Sequence, residues 1–243
     1  RWLPDRDMLI YALNEPDGNK GQVKISTYDI DADLERSYPE IKGLPEGSEV
    51  TDIVLSPFTN IVYTMIKTGE STAKIYKFNI MDKLTYIMTV TPDTVIKETL
   101  YSDYLVYQKK SGKITMRNGK NGKSGTFSRS GKYLLLDTDG EDRVYAGKLD
   151  EGGRITGIVF GKIDVKHSNW ETVELNDPVE KDDIFITPSG NIYINDDEDQ
   201  SVTLFDYRNN VVENITYNGK LLEINDNYLI ILKGSRLETV KSS

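Results

Sequence analysis

The chain has no cysteine and only one histidine among its 243 residues. Without cysteine, neither a disulfide bond nor a thiolate metal site can form. One histidine cannot supply the nitrogen and sulfur ligands of a zinc site. That histidine, His167, lies in a polar stretch, and the chain carries no nucleophile-elbow motif, which argues against a Ser-His-Asp hydrolase. We interpret His167 as a surface-loop residue.

Long apolar runs are also missing. No run approaches the roughly 18 apolar residues of a membrane-spanning helix, and no signal peptide is recognisable. The first residues, Arg1-Trp2-Leu3, fall inside a phrase that recurs along the chain. We therefore expect upstream residues in the natural protein, with a signal peptide or anchor among them. This predicts an extracytoplasmic location, at the cell surface or in the periplasm, with membrane contact only through that anchor.

Helical periodicity is hard to find, whereas period-two alternation of apolar and polar residues is frequent. The segments 23–28, 73–78 and 202–207 alternate in the manner of half-buried strands. Tight-turn pairs such as Asn118-Gly119 and Asp139-Gly140 separate the alternating runs. The pattern predicts an all-β, antiparallel chain with hairpin connections.

One phrase recurs: an apolar strand end, a polar turn and a second apolar strand. Its copies span residues 2–11, 54–63, 127–136 and 186–194, with looser copies at 100–107 and 224–231. A supersecondary unit repeated along a chain is typical of propellers and solenoids. The copies predict inner strands at 8–13, 60–65, 104–108, 132–137, 191–195 and 228–232.

The two chain ends predict how the repeats close. The last unit offers two strands, and the first phrase opens on the end of a strand that has no unit of its own. We predict a six-bladed β-propeller that forms one domain over residues 1–243, closed by the N-terminal strand pairing into the last blade. Closure would remove exposed strand edges. Five blades or an open array are the alternatives.

The phrase resembles the repeat of TolB-like and WD40-like bacterial β-propellers, in which Phe-Ser-Pro-Asp-Gly-Lys precedes an apolar strand. The nearest copies are Leu55-Ser56-Pro57 and Thr187-Pro188-Ser189-Gly190-Asn191, whereas Ser128-Arg129-Ser130-Gly131-Lys132 lacks the proline. Proline presets φ at the second turn position, and glycine or asparagine tolerates positive φ. The resemblance implies the fold but no particular chemistry, because propellers serve many functions.

Charge is distributed unevenly. The formal net charge is −9, yet residues 104–136 contain eight basic residues and no acidic one. This basic segment predicts a docking patch for a protein or an anionic cell-envelope polymer, formed by Lys109, Lys110, Lys113, Arg117, Lys120 and Lys123. Few aromatic residues lie between the lysines, which argues against nucleic acid as the partner. The alternative is an exposed blade whose lysines provide solubility.

Acidic turns follow two of the predicted inner strands. Asp137, Asp139 and Asp142 lie in the first of these turns and form a candidate calcium site, because carboxylate oxygens on a tight turn suit that ion. The second turn spans residues 195–199. A third acidic stretch, 29–40, has Leu34 where a calcium loop needs glycine. The alternative is that these turns are solvated connectors; no other cofactor is predicted.

These observations together favour a non-catalytic binding or scaffolding propeller, the extracytoplasmic domain of an envelope-anchored bacterial protein. One alternative is a carboxylate-based hydrolase or lyase, with Asp137, Asn195 and Asp196 at the propeller funnel. An acid pair with a raised pKa beside an arginine would favour this enzyme. The other alternative is the propeller half of a larger enzyme related to prolyl peptidases.

Overall fold

The structure is a computed structural model that describes residues 2–3, 8–15, 18–56, 61–79, 84–98, 103–128, 132–163, 170–206, 211–226 and 228–241. His167, Arg129 and the phrase turns at 4–7 and 57–60 lie outside the described residues. Across the described ranges the chain forms 23 strands and a short 3₁₀ helix, Lys181–Asp183. No helix in them is both long and apolar enough to span a bilayer.

Two compact units divide the chain, residues 1–126 and 127–243. The first holds three antiparallel sheets of four strands, which we number sheets 1 to 3. Their strands are β1 (Trp2–Leu3), β2 (Met8–Asn14), β3 (Val23–Asp29), β4 (Leu34–Ser37), β5 (Glu49–Ser56), β6 (Ile61–Gly69), β7 (Thr72–Asn79), β8 (Leu84–Val90), β9 (Val95–Glu98), β10 (Tyr104–Gln108), β11 (Ile114–Asn118) and β12 (Ser124–Ser128).

The second unit holds sheets 4 and 5, with four strands each, and sheet 6, with three among the described residues. Their strands are β13 (Tyr133–Thr138), β14 (Arg143–Leu149), β15 (Ile155–Lys162), β16 (Glu171–Val179), β17 (Ile184–Ile186), β18 (Ile192–Asp196), β19 (Ser201–Asp206), β20 (Val211–Thr216), β21 (Lys220–Ile224), β22 (Tyr228–Lys233) and β23 (Arg236–Lys241). The number of sheets equals the six blades predicted from the sequence.

Side chains that alternate along β6 are buried on both faces of sheet 2. On β6, Val62 and Ile66 pack with β2 and β3 of sheet 1. Tyr63 and Met65 point the other way and pack with Leu105 of sheet 3. Because successive side chains of a strand point to opposite faces, sheet 2 is buried between its two neighbours. Such a strand needs apolar residues at consecutive positions, and the burial of residues 62–66 follows from this.

A buried ionic cluster joins sheets 2 and 3. Asp103, directly before β10, is only 5% exposed. Its carboxylate accepts a 2.6 Å hydrogen bond from the Tyr63 hydroxyl and forms an ion pair with Lys77. The Lys77 ammonium also lies 3.3 Å from the carbonyl oxygen of Gly119. A side-chain Cβ at position 119 would collide with the Asp103 carboxylate and the Tyr63 hydroxyl. Only glycine, which has no Cβ, therefore fits at position 119.

A second buried cluster joins sheets 4 and 5. Asp139, fully buried in the turn between β13 and β14, accepts a hydrogen bond from the Tyr145 hydroxyl and an ion-paired one from Arg143. The Gly140 N–H donates to the Pro188 carbonyl in the turn between β17 and β18. Gly190 in that same turn has φ +88°, and an added Cβ would collide with Asp139 and Tyr145. Glycine at position 190 thus permits both the positive φ of the turn and the close approach of sheets 4 and 5.

All six predicted strands are present in the structure. Those at 8–13, 60–65, 104–108, 191–195 and 228–232 correspond to β2, β6, β10, β18 and β22, each the second strand of its sheet, with bounds that agree to within about two residues except that β6 continues to Gly69. The sixth, 132–137, corresponds to β13, which is the first strand of sheet 4. The turn equivalent to the phrase is 139–142, where Asp139 and Gly140 replace Ser-Pro.

The predicted closure by the N-terminal strand is wrong. β1 pairs with β2 of its own sheet, with Trp2 opposite Leu9 and Leu3 opposite Met8. Sheet 6 has three strands among the described residues, and β21 is the first of them. The sequence predicted two strands in this unit, and residues 220–224 form the third.

Candidate functional site

A cleft of about 650 Å³ opens in the second unit between β16 and the sheet formed by β18, β19 and β20. We call it the acidic cleft. It is lined by Arg154, Leu175, Asn176, Asp177, Pro178, Val179, Asp183, Ile194, Asn195, Asp196, Asp197, Glu198, Asp199, Ser201, Thr203, Phe205 and Asn214. Six of these residues are acidic and one is basic.

One wall of the acidic cleft is a bulge in β16. Ile155 of β15 pairs with Val179, but Gly157, two residues on, pairs with Glu174. The four residues between those partners, 175–178, therefore leave the regular ladder and bend the strand. Pro178 suits this position because it has no N–H to contribute to a ladder. The Arg154 guanidinium donates to the Pro178 carbonyl and lies 3.5 Å from a Glu180 carboxylate oxygen, which fixes the bulge.

The floor of the acidic cleft follows from the two faces of β19. Val202 and Leu204 lie in the hydrophobic core that sheet 5 shares with sheet 6. Because side chains alternate, Ser201, Thr203 and Phe205 point to the opposite face, into the cleft. Across the ladder, Asp196 pairs with Ser201 and Ile194 with Thr203, so β18 contributes to the same floor. The floor is mixed, with hydroxyl groups next to apolar surface.

The acidic end of the cleft is the turn between β18 and β19. The Asp196 Oδ1 atom accepts hydrogen bonds from the N–H groups of Glu198 and Asp199, at 3.0 and 3.1 Å. An aspartate that binds the backbone two and three residues on stabilises a tight turn. The turn therefore folds locally and holds four consecutive acidic residues at the cleft mouth, Asp196, Asp197, Glu198 and Asp199.

Proximity of these charges changes two pKa values. Burial raises the pKa of the Asp183 carboxyl, and repulsion from Asp197, Glu180 and Asp182 adds to this, partly offset by a hydrogen bond from the Glu180 N–H. Burial and the hydrogen bond to Asp197 raise the pKa of Tyr217 to about 12. The Tyr217 hydroxyl therefore stays protonated and donates to Asp197 and Asn195, at 3.1 and 2.8 Å.

No cation within the described residues neutralises the cleft. None of its six acidic side chains forms an ion pair there, and Arg154, the one basic lining residue, is paired with Glu180 outside the lining. The described ranges also contain no group of three histidine or acidic side chains placed to hold a metal ion. The cleft is thus an open, negatively charged groove with a partly apolar floor.

No protein-family model matches the sequence, and no curated protein matches it. Solved structures do match. An uncharacterized protein, lmo1340, from Listeria monocytogenes EGD-e has a TM-score of 0.65 at 10% identity, over 97% of this chain and 76% of that one. TolB from Acinetobacter baumannii has a TM-score of 0.58 at 10% identity, over 97% of this chain and 61% of that one.

The chain has a six-bladed β-propeller fold. A structure from work on two prolyl endopeptidases is also similar, with a TM-score of 0.60 at 13% identity, over 96% of this chain and 42% of that one. The propeller spans less than two thirds of the TolB and endopeptidase chains. At such low identity the similarity shows the fold alone, and the resemblance to TolB-like propellers is confirmed at that level.

The predicted basic patch lies on two turns of sheet 3. The turn between β10 and β11 holds the first group of basic residues, Lys109, Lys110 and Lys113. The second group is Arg117, in β11, together with Lys120 and Lys123, which follow that strand. The length of β11, five residues or roughly 13 Å from first to last Cα, separates the two groups. All but Arg117 are exposed, and Lys110 lies 3.8 Å from Asp93. Binding of an anionic partner at these turns stays a prediction.

The candidate calcium residues have other structural roles in sheet 4. Asp139 accepts hydrogen bonds on both carboxylate oxygens, from Glu141 and Arg143 N–H groups and from the Arg143 and Tyr145 side chains. Asp137 lies at a bulge in β13, and Asp142 has φ +60° in the turn. Protein donors thus surround the Asp139 carboxylate, and calcium binding at this turn stays a prediction.

The three residues predicted for an enzyme site do not all lie in the acidic cleft. Asn195 and Asp196 line the acidic cleft, whereas Asp137 is not among its lining residues. Sequence reasoning missed Asp177, Asp183 and Arg154, which also line the cleft. A signal was present in Asn176-Asp177-Pro178, since proline inside an otherwise alternating strand indicates an edge or a bulge.

Proposed function

We propose that the propeller is a non-catalytic binding module, and that its acidic cleft receives a positively charged segment of a protein partner. The observation that carries the proposal is the row of acidic side chains that no described cation neutralises. Like charges held together at a groove raise the local potential and attract a cationic partner. The bulge of β16 keeps the groove open, and Ile194 and Phe205 give the partner apolar contact.

The proposal extends to location. We infer an extracytoplasmic domain of an envelope-anchored bacterial protein, and the motive for this inference is the resemblance of its repeat to that of TolB-like bacterial propellers. Fractionation of the source cells with an antibody to this domain checks it. Recovery in the cell envelope or periplasm is expected, and recovery in the cytoplasm alone would refute this part of the proposal.

A fluorescent pentalysine peptide tests the binding role. It should bind the propeller at low salt, and the affinity should fall about tenfold in the variant Asp177→Asn/Glu198→Gln/Asp199→Asn, because three cleft charges are removed. The matched control is Asp31→Asn/Glu70→Gln/Glu151→Gln, which neutralises three exposed acids elsewhere. Fluorescence anisotropy gives the dissociation constants. Equal losses in variant and control would mean that only net charge attracts the peptide, and would overturn the proposal.

The affinity for pentalysine should also fall as the pH is lowered. Because the pKa of Asp183 is raised, this side chain loses its charge at a higher pH than the exposed carboxylates do. Pentalysine binding should therefore weaken as the pH falls through that raised value, before the rest of the surface titrates. In an Asp183→Asn variant this early weakening should disappear.

A further inference from the structure

Three acidic side chains of the cleft, Asp196, Asp197 and Asp183, have one oxygen already occupied. Oδ1 of Asp196 accepts from two backbone N–H groups, and Oδ1 of Asp197 accepts from the Asn195 amide and the Tyr217 hydroxyl. Oδ2 of Asp183 accepts from the Glu180 N–H. Among the described residues no donor reaches the second oxygen of these three carboxylates. These three side chains therefore offer single oxygen acceptors and not free carboxylate pairs.

Ser201 is a second polar feature of the site. The residue is 9% exposed and lines the cleft, and its hydroxyl, which is accessible from the cleft, forms no hydrogen bond with any described residue. Water or a ligand in the cleft must therefore be its hydrogen-bond partner. Ser201 pairs with Asp196 across the ladder, and paired side chains on one face lie about 5 Å apart at Cβ. A small donor can fit between the hydroxyl and the free Asp196 oxygen.

The arrangement of acceptors distinguishes between the two common cationic side chains. An arginine guanidinium is a planar fork that binds best to both oxygens of one carboxylate. A lysine ammonium is compact and directs three donors to separate acceptors. Asp196 and Ser201 supply such separate acceptors, and the next pair along the floor, Ile194 and Thr203, provides a surface for the methylene stem.

We propose that the acidic cleft is a lysine subsite, in which a primary ammonium bridges Asp196 Oδ2 and Ser201 Oγ and is preferred over a guanidinium. This inference rests on the proposed function and adds the chemistry of the ligand. Asp183 and Asp197 supply negative potential nearby without needing to contact the ammonium.

Three peptides of equal length and charge test the subsite: pentalysine, pentaarginine and penta(trimethyllysine). Pentalysine should bind the propeller about tenfold more tightly than the other two, because only it carries the three N–H donors of a primary ammonium at each side chain. In a Ser201→Ala variant the preference for pentalysine over pentaarginine should fall to about twofold or less, with the affinity for pentaarginine unchanged. The matched control is Ser111→Ala, in an exposed turn of the first unit.

The outcomes separate the two proposals. If all three peptides bind equally and the triple cleft variant weakens them all, the cleft binds cations but the lysine subsite is refuted. A preference for pentalysine that survives in Ser201→Ala also refutes the subsite. If no peptide responds to the cleft substitutions, the proposed function itself fails. Circular dichroism and thermal melting confirm that each variant is folded.

Discussion

Replacement of Asp139 by alanine should lower the free energy of unfolding by about 3–5 kcal/mol. The carboxylate is fully buried, and the Arg143 side chain beside it is 13% exposed. Removing the acid leaves the guanidinium without its buried partner and deprives the Tyr145 hydroxyl of its acceptor at 2.7 Å. It also leaves the Glu141 and Arg143 N–H groups, which close the turn between β13 and β14, without an acceptor. Each loss adds to the cost.

Urea denaturation followed by tryptophan fluorescence measures this effect. The midpoint should fall while the slope stays constant, since the folded state remains equally compact. Glu151→Ala is the control, because Glu151 lies exposed in the next turn and should change stability by less than about 0.5 kcal/mol. A loss below about 1 kcal/mol for Asp139→Ala would show that the cluster does not hold sheets 4 and 5 together.

The second large effect should come from Lys77→Met. Asp103 would then be a buried carboxylate whose side chain is 3% exposed and has lost its ion-pair partner, at a cost of about 3–5 kcal/mol. The double variant Lys77→Met/Asp103→Asn should regain most of this stability. No unpaired charge remains in it, and the new amide oxygen can accept from the Tyr63 hydroxyl.

The control for this pair is Lys67→Met, which breaks a 3.9 Å contact with Glu49 between exposed side chains. Such surface pairs contribute about 0–1 kcal/mol. Thermal melting of the wild type, Lys77→Met, Asp103→Asn and the double variant gives the coupling energy between positions 77 and 103. If the double variant is as unstable as Lys77→Met, the loss comes from packing of the lysine stem and not from the uncompensated charge.

Local patterns were enough to predict most of the fold. Alternation and turn pairs predicted an all-β chain, and the phrase located the second strand of five sheets because each copy is a local hairpin signal. At β13 the phrase located the first strand of the sheet instead, and Asp139-Gly140 forms the turn that follows without the usual proline. Pairing of β1 with β2 was missed because the choice between two neighbouring edges depends on tertiary contacts, which a strand of two residues does not encode.

The acidic cleft was only partly predictable. The acidic turn after β18 is visible in the sequence, and Asn195 and Asp196 were singled out as candidate site residues. The opposite wall depends on the register between β15 and β16, where four residues leave the ladder. Register follows from the packing of the whole sheet and not from local propensity. Neither the burial of Ser201 nor the proximity of Asp183 to Asp197 could therefore be predicted.

The sheet topology also has a consequence for folding. Every sheet is built from strands that follow one another in the chain, from β1–β4 in sheet 1 to β21–β23 in sheet 6. All ladder partners are therefore close in sequence, which lowers the relative contact order and favours fast formation of each hairpin. The sheets can therefore form in the order in which they leave the ribosome.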